Sequence, residues 1–280
     1  MTNPTHATTF RNLHAPGQFL VLPNAWDAGS ARLIESAGAA AIATSSAAVA
    51  WANGYPDGDA LPTALLIRTV EQIVRVINVP LSVDSEGGYS DDPAEVAENI
   101  YAIANAGAVG INIEEGSKSP DLLCTKIEAA KRGAQRAGVD LFVNARIDIL
   151  LQGVVPREQF VEETLARAAR YRDAGCDGIF VPLIASAEDI QAVARGIDPL
   201  PLNVMAIGGL APTAELRRLG ARRLSAGAGI ARAAISLTLR LAEEFLRDGN
   251  SSAIYAEVKD KTDINALFRN LPNAGGGAGE

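Results

Sequence analysis

Cysteine and histidine are nearly missing from this 280-residue chain. Its two cysteines, Cys124 and Cys176, form no CxxC pair, which excludes a disulfide scaffold and a thiolate zinc site. Its two histidines, His6 and His14, both lie near the start, too few and too badly placed for a histidine-rich metal centre or a Ser-His-Asp triad. Positive charge is short as well. Lys+Arg total 25 against 33 Asp+Glu, and the net charge of −8 argues against nucleic acid or an anionic membrane surface as a partner. No run approaches the roughly 18 consecutive apolar residues of a membrane span. Residues 1–18 are polar and lack the basic-then-apolar layout of a secretory leader, so the expected location is the cytoplasm. With sulfur and imidazole ligands so scarce, any metal here is expected to be a hard cation held by oxygens.

What the chain does contain is a repeated unit: a short apolar run, a turn, then an amphipathic helix. The runs begin near Phe19, Ala41, Leu81, Gly110, Leu141, Gly178, Asn203 and Arg223. They are short, unalternating and partly β-branched, which suits parallel strands buried on both faces. Between them, apolar residues at spacings of three and four predict helices over 65–77, 94–106, 122–137, 158–174 and 213–219. Glycines 38, 107, 138, 175 and 220 follow helical segments, where a left-handed residue closes the last turn. Eight strand signals alternating with helices predict an α/β fold, a (β/α)8 TIM barrel. The absence of GxGxxG after an early strand disfavours the open doubly wound alternative. A long helix over 230–247, a break at Gly249-Asn250 and a further helix over 251–268 follow the eighth unit. Residues 1–272 are read as one domain, and the Gly-rich residues 273–280 as a flexible tail.

In such a barrel the carboxyl ends of the strands face the active site. The runs end in Asn24-Ala25-Trp26-Asp27, Thr44-Ser45-Ser46, Asp84-Ser85-Glu86, Asn112-Ile113-Glu114-Glu115, Asn144-Ala145-Arg146-Ile147-Asp148 and, in the seventh, Asn203. Asp84, Glu86 and Glu114, on adjacent strands, would repel one another unless a cation neutralised them. Mg²⁺ takes few direct carboxylates and keeps several waters, so Asp84 is expected as the direct ligand, with Glu86 and Glu114 acting through water. Arg146 can grip a carboxylate or phosphonate with two parallel hydrogen bonds. Ser45 and Ser46 offer a hydroxyl and backbone N–H groups that could hold the other end of an anionic substrate. Cys124, where a helix should begin, is read as a structural thiol.

Together, PNAWDAGSA (23–31), ATSSAAVAWANGYPDG (43–58), VDSEGGY (83–89), GINIEE (110–115), VNARID (143–148), IFVP (179–182) and NVMA (203–206) resemble the isocitrate lyase / phosphoenolpyruvate mutase superfamily. The resemblance implies a barrel that binds Mg²⁺, with Mn²⁺ as a possible substitute, through Asp84. Asp57, Glu86 and Glu114 would complete the acidic set. Ser45 with the backbone of Ser46 and Ala47 would hold a substrate oxyanion, and Arg146 and Asn203 would contact the substrate. Arg146, Ser45, Glu114 and Asp57 are then the candidate catalytic residues. The implied reaction breaks or forms a C–C or P–C bond beside a 2-oxo acid through a metal-stabilised enolate. The implied assembly is a dimer or tetramer that swaps its last helix, which would account for 251–268. The chain departs from the family's lyase branch. Glu115 is followed by Gly116-Ser117-Lys118-Ser119-Pro120, with no KKCGH motif, and only Lys118 could stand in for the lysine of the longer mutase loop. The expected activity is therefore a lyase of small 2-oxo or 2-hydroxy carboxylates, with Tyr55, Tyr89 or Lys118 as candidates to move a proton. A phosphonopyruvate-type P–C enzyme and a non-catalytic binder of metal and 2-oxo acid are the alternatives.

Overall fold

The structure, a computed structural model, describes residues 4–258, 262–269 and 271. Residues 273–280, expected as a flexible tail, lie outside the described residues. Nine parallel strands form the sheet: β1 (Leu20–Leu22), β2 (Asn24–Ala25), β3 (Ile42–Thr44), β4 (Leu81–Asp84), β5 (Gly110–Glu114), β6 (Phe142–Arg146), β7 (Gly178–Phe180), β8 (Leu202–Met205) and β9 (Ala221–Ser225). Their order, β1-β9-β8-β7-β6-β5-β4-β3-β2, makes a (β/α)8-type TIM barrel. All eight expected runs are present, and the ninth strand arises within the first of them. The first expected strand is split by Pro23, which has no N–H to give a ladder. β1 pairs with β9 and β2 with β3, so the split falls at the closing seam. Asn24 stitches that seam: its Nδ2 donates to the Thr44 carbonyl at 2.7 Å, and its Oδ1 accepts the Ala226 N–H at 2.9 Å.

The predicted helices occur as Thr63–Val76, Pro93–Asn105, Pro120–Arg136, Phe160–Asp173 and Thr213–Arg218. Leu66, Val70 and Ile73 show the packing logic, recurring at three and four along Thr63–Val76 and fully buried against the barrel. The helices Pro93–Asn105 and Pro120–Arg136 meet closely at Gly133, where a Cβ would stand 2.2 Å from the Ala97 carbonyl oxygen. At the amino ends of the strands, a helix Pro4–Asn12 that the periodicity did not announce plugs the barrel with Phe10. His14 stacks on Phe142 at 4.2 Å beside it. Gly110 is glycine for lack of room, since a Cβ there would lie 2.6 Å from the Phe10 ring.

The end of the chain differs from expectation. The long helix, Gly229–Asp248, is present, but along it only Ala231 is buried. Ile235, Leu239, Phe245 and Leu246 face solvent. Beside its start runs an apolar groove of 650 Å³, with Val21, Ile34, Ala39 and Leu224 among its lining residues. The helix expected over 251–268 is two short ones, Ser252–Glu257 and Ile264–Arg269. The second returns to the barrel wall, where Arg32 Nε donates to the Leu267 carbonyl at 3.1 Å. Among the described residues no helix is long and apolar enough to cross a membrane.

Candidate active site

The acids gather at the carboxyl ends of β4 and β5. Asp84, the last residue of β4, is oriented from β3: its N–H donates to Thr44 Oγ1 at 2.9 Å, and its Oδ2 accepts the Ser46 N–H at 3.0 Å. Its Oδ1 is buried and has no protein partner. Asp57 comes in from the loop after the helix Ser46–Ala52, with the Ser46 hydroxyl and Asp84 near its carboxyl. Burial, then the charge of Asp84, pushes the Asp57 carboxyl up. Glu86 accepts the Asp59 N–H and the Tyr89 hydroxyl, the latter at 3.1 Å. Burial raises Glu86 to about 7, with Asp57, Asp59 and Asp84 adding to the effect. Asp59, Glu86 and Tyr89 all sit at left-handed backbone angles, φ +56°, +48° and +59°, a conformation costly for non-glycine residues. That strain is concentrated where the loop around Asp59 meets the turn after β4.

Glu114 ends β5 directly opposite Arg146 of β6 and forms an ion pair with its Nη1. Burial pushes Glu114 up even so, because the pull of Arg146 is countered by Asp84, Asp148 and Glu86. The Arg146 guanidinium also donates from Nε to Asp148 at 2.7 Å and lies 5.9 Å from the centroid of the Phe180 ring. Ser45 precedes the helix Ser46–Ala52, and its hydroxyl makes no capping bond. Ala47 is half-buried beside it. The structure thus brings Ser45, Ser46, Ala47, Asp57, Asp84, Glu86, Glu114 and Arg146 to one mouth.

Asn203 is placed differently. It is the second residue of β8 rather than a strand end, fully buried, with Nδ2 on Ser225 Oγ at 3.2 Å. Lys118 points to Asp91 in an exposed ion pair rather than to the acids. Cys124 lies within the helix Pro120–Arg136 instead of at its start, its thiol pushed up by burial.

Sequence reasoning passed over Arg223. It is fully buried inside the barrel, gives Nη2 to Asn112 Oδ1 at 3.1 Å, and leaves Nε and Nη1 without partners. Asn112 is the β5 neighbour of Asp84, so a cation stands beneath the acid cluster. In the structure burial alternates along Ala221–Ser225 with Arg223 on the inward phase, a phase that the sequence Ala-Arg-Arg-Leu-Ser does not reveal.

Among the described residues no three His, Cys, Asp or Glu side chains are arranged to ligate an ion by themselves. The donor set nevertheless fits Mg²⁺ held mainly through water: all ligand atoms are oxygens, and one buried Asp84 oxygen lacks a partner. Asp57, Glu86 and Glu114 are each pushed up by burial and in part by the charge of Asp84, an environment that a divalent cation relieves.

The family described as phosphoenolpyruvate phosphomutase matches residues 10–246. A Burkholderia cenocepacia J2315 protein described as a lyase/mutase superposes with a TM-score of 0.86 at 37% identity, covering 95% of this chain and 97% of its own. The oxaloacetate decarboxylase of Pseudomonas fluorescens is 29% identical over 243 residues, 82% of this chain and 81% of that protein. A phosphonopyruvate hydrolase solved with oxalate and Mg²⁺ shares the fold, with a TM-score of 0.81 at 22% identity over 96% of this chain and 95% of its own.

Proposed function

The chain belongs to the phosphoenolpyruvate phosphomutase family, whose members are lyases and mutases acting on C–C or P–C bonds, and from that premise we propose an Mg²⁺-dependent lyase of a small 2-oxo or 2-hydroxy dicarboxylate. One observation carries the reading. Asp84 has one oxygen fixed by the Ser46 N–H and the other buried and unpartnered, among Asp57, Glu86 and Glu114, with Arg146 alongside. Asp84 would hold the ion directly and the other three acids through water. When bound, Mg²⁺ polarises the 2-oxo group as a Lewis acid.

The chain's own residues do the rest. The planar guanidinium of Arg146 grips the distal carboxylate, a contact that an ammonium cannot reproduce. The Ser45 hydroxyl and the N–H of Ala47 hold the near oxygens and meet negative charge as it develops. Tyr89, whose hydroxyl donates to Glu86 at 3.1 Å, and Tyr55 remain the candidates to pass a proton, whereas Lys118 is drawn off by Asp91. The absence of a KKCGH loop favours decarboxylation of a β-keto acid, which does not need that cysteine.

The assembly belongs to the same reading. The exposed apolar stripe of Gly229–Asp248 and the groove beside β1 are what an exchanged helix between two copies would cover.

The test is turnover of oxaloacetate and related short 2-oxo and 2-hydroxy dicarboxylates with Mg²⁺ or Mn²⁺ in D₂O. Carbon dioxide or cleavage products, with deuterium beside the carbonyl, are expected. Phosphate or phosphoenolpyruvate from phosphonopyruvate would move the assignment to a P–C bond. Tight binding with neither product nor exchange would make the protein a binder.

A further inference from the structure

Glu114 and Arg146 are the last register pair of β5 and β6, yet the two chains stay joined beyond them. Glu115 Oε1 accepts the Asp148 N–H at 2.9 Å, and Asp148 Oδ2 accepts the Gly116 N–H at 3.0 Å. Glu115 captures the backbone of Asp148 itself, and Asp148 captures the backbone next to Glu115. Their remaining contacts run in opposite directions. Inward, Asp148 Oδ1 takes Arg146 Nε at 2.7 Å, with the Asp148 side chain 0% exposed. Outward, Glu115 takes Arg167 Nη1 at 2.6 Å and the Tyr171 hydroxyl, both from the helix Phe160–Asp173. Glu163 in turn steadies Arg167 through its Nε at 2.7 Å.

Two buried carboxylates with this many donors are more than a loop needs in order to stay closed. We propose that Asp148 is a positioning residue for Arg146, and that Glu115, Arg167 and Tyr171 brace Asp148 against the barrel wall. The geometry divides the guanidinium. Asp148 holds the Nε edge and Glu114 holds Nη1, while Nη2 takes no protein partner among the described residues. A long arginine side chain loses much rotamer freedom when it grips a ligand, and the clasp removes that loss beforehand. It also links Arg146 to the loop after β5, because Gly116, at φ +55°, begins that loop with its N–H on Asp148. Groups that orient metal-ligating side chains typically matter by about 10- to 100-fold, and an effect of that order is expected for a side chain that orients Arg146. The proposal rests on Arg146 as the substrate-binding cation, and its test separates the two claims.

Asp148→Asn keeps the shape and an acceptor but removes the charge facing Arg146. With Mg²⁺ and oxaloacetate, KM is expected to rise about tenfold or more. Mg²⁺ affinity should stay within about threefold, since Asp148 is not in the proposed ion's donor set. Tyr171→Phe should raise KM in the same sense by less. In ¹⁵N NMR spectra the Arg146 Nε–H, assigned with Arg146→Lys, should be exchange-protected in the parent protein and unprotected in Asp148→Asn. Lowered thermal stability with KM and the Nε–H signal both unchanged would mean the clasp is only structural, and would overturn the proposal. Should the parent protein turn over no substrate, the functional reading fails and the Nε–H signal alone decides. Should Asp148→Asn not fold, Tyr171→Phe carries the same two readouts.

Discussion

Glu86 shows what it costs to gather acids at one mouth. Its carboxyl is held up at about 7, against an ordinary value of 4.5, first by burial and then by its acidic neighbours. Between those values the folded chain holds a proton that the unfolded chain has released. Stability of the metal-free protein therefore falls as pH rises through that window, and the loss is complete above the folded value. His14 works in the opposite sense. Burial under the barrel drops it to about 3, so it costs stability as pH falls below its ordinary 6.5. The difference between the parent protein and Glu86→Gln isolates the first effect. Thermal melts in chelator between about pH 5 and 8 should show the parent losing stability with rising pH relative to the variant. Parallel curves would contradict the assignment.

At this same scale, side chains at strand ends could be read from the sequence, because a residue's place at the end of a parallel run fixes its side of the barrel. Asp84, Glu114 and Arg146 follow that rule. Arg223, Asp148 and Glu115 did not come forward as functional candidates. Their importance lies in partners far along the chain, such as Asn112 for Arg223 and Tyr171 for Glu115.

Among elements, periodicity located the helices to within a residue or two wherever one face is buried, as in Thr63–Val76. It failed where tertiary contacts decide. The plug helix Pro4–Asn12 owes its place to the space above Gly110, and the break at Pro23 depends on which strands meet at the seam. The helix Gly229–Asp248 is the reverse case: its pattern is amphipathic, yet its apolar residues have nothing to cover within the chain. Light scattering should give a mass that is a multiple of the 29.2 kDa chain. Leu239→Glu with Leu246→Glu should shift it to the single-chain mass, since a buried charge at such an interface costs several kcal/mol. A parent protein that is already monomeric at micromolar concentration would show that the stripe stays uncovered.

For the molecule as a whole, the barrel explains why chemistry is found at one end and packing at the other. Strand polarity sends Asp84, Glu86, Glu114 and Arg146 to one rim, while Phe10, His14 and Phe142 seal the opposite rim. The acidic mouth faces a buried arginine below and a guanidinium at its side. That arrangement suits a dianionic ligand only once a cation has joined it. Calorimetric titration of Mg²⁺ into the chelator-treated protein and into Asp84→Asn tests this most directly. The account predicts one site in the parent protein, weakened about 100-fold or lost in the variant, with circular dichroism unchanged. Equal affinity in the two proteins, or no binding by the parent, would contradict it.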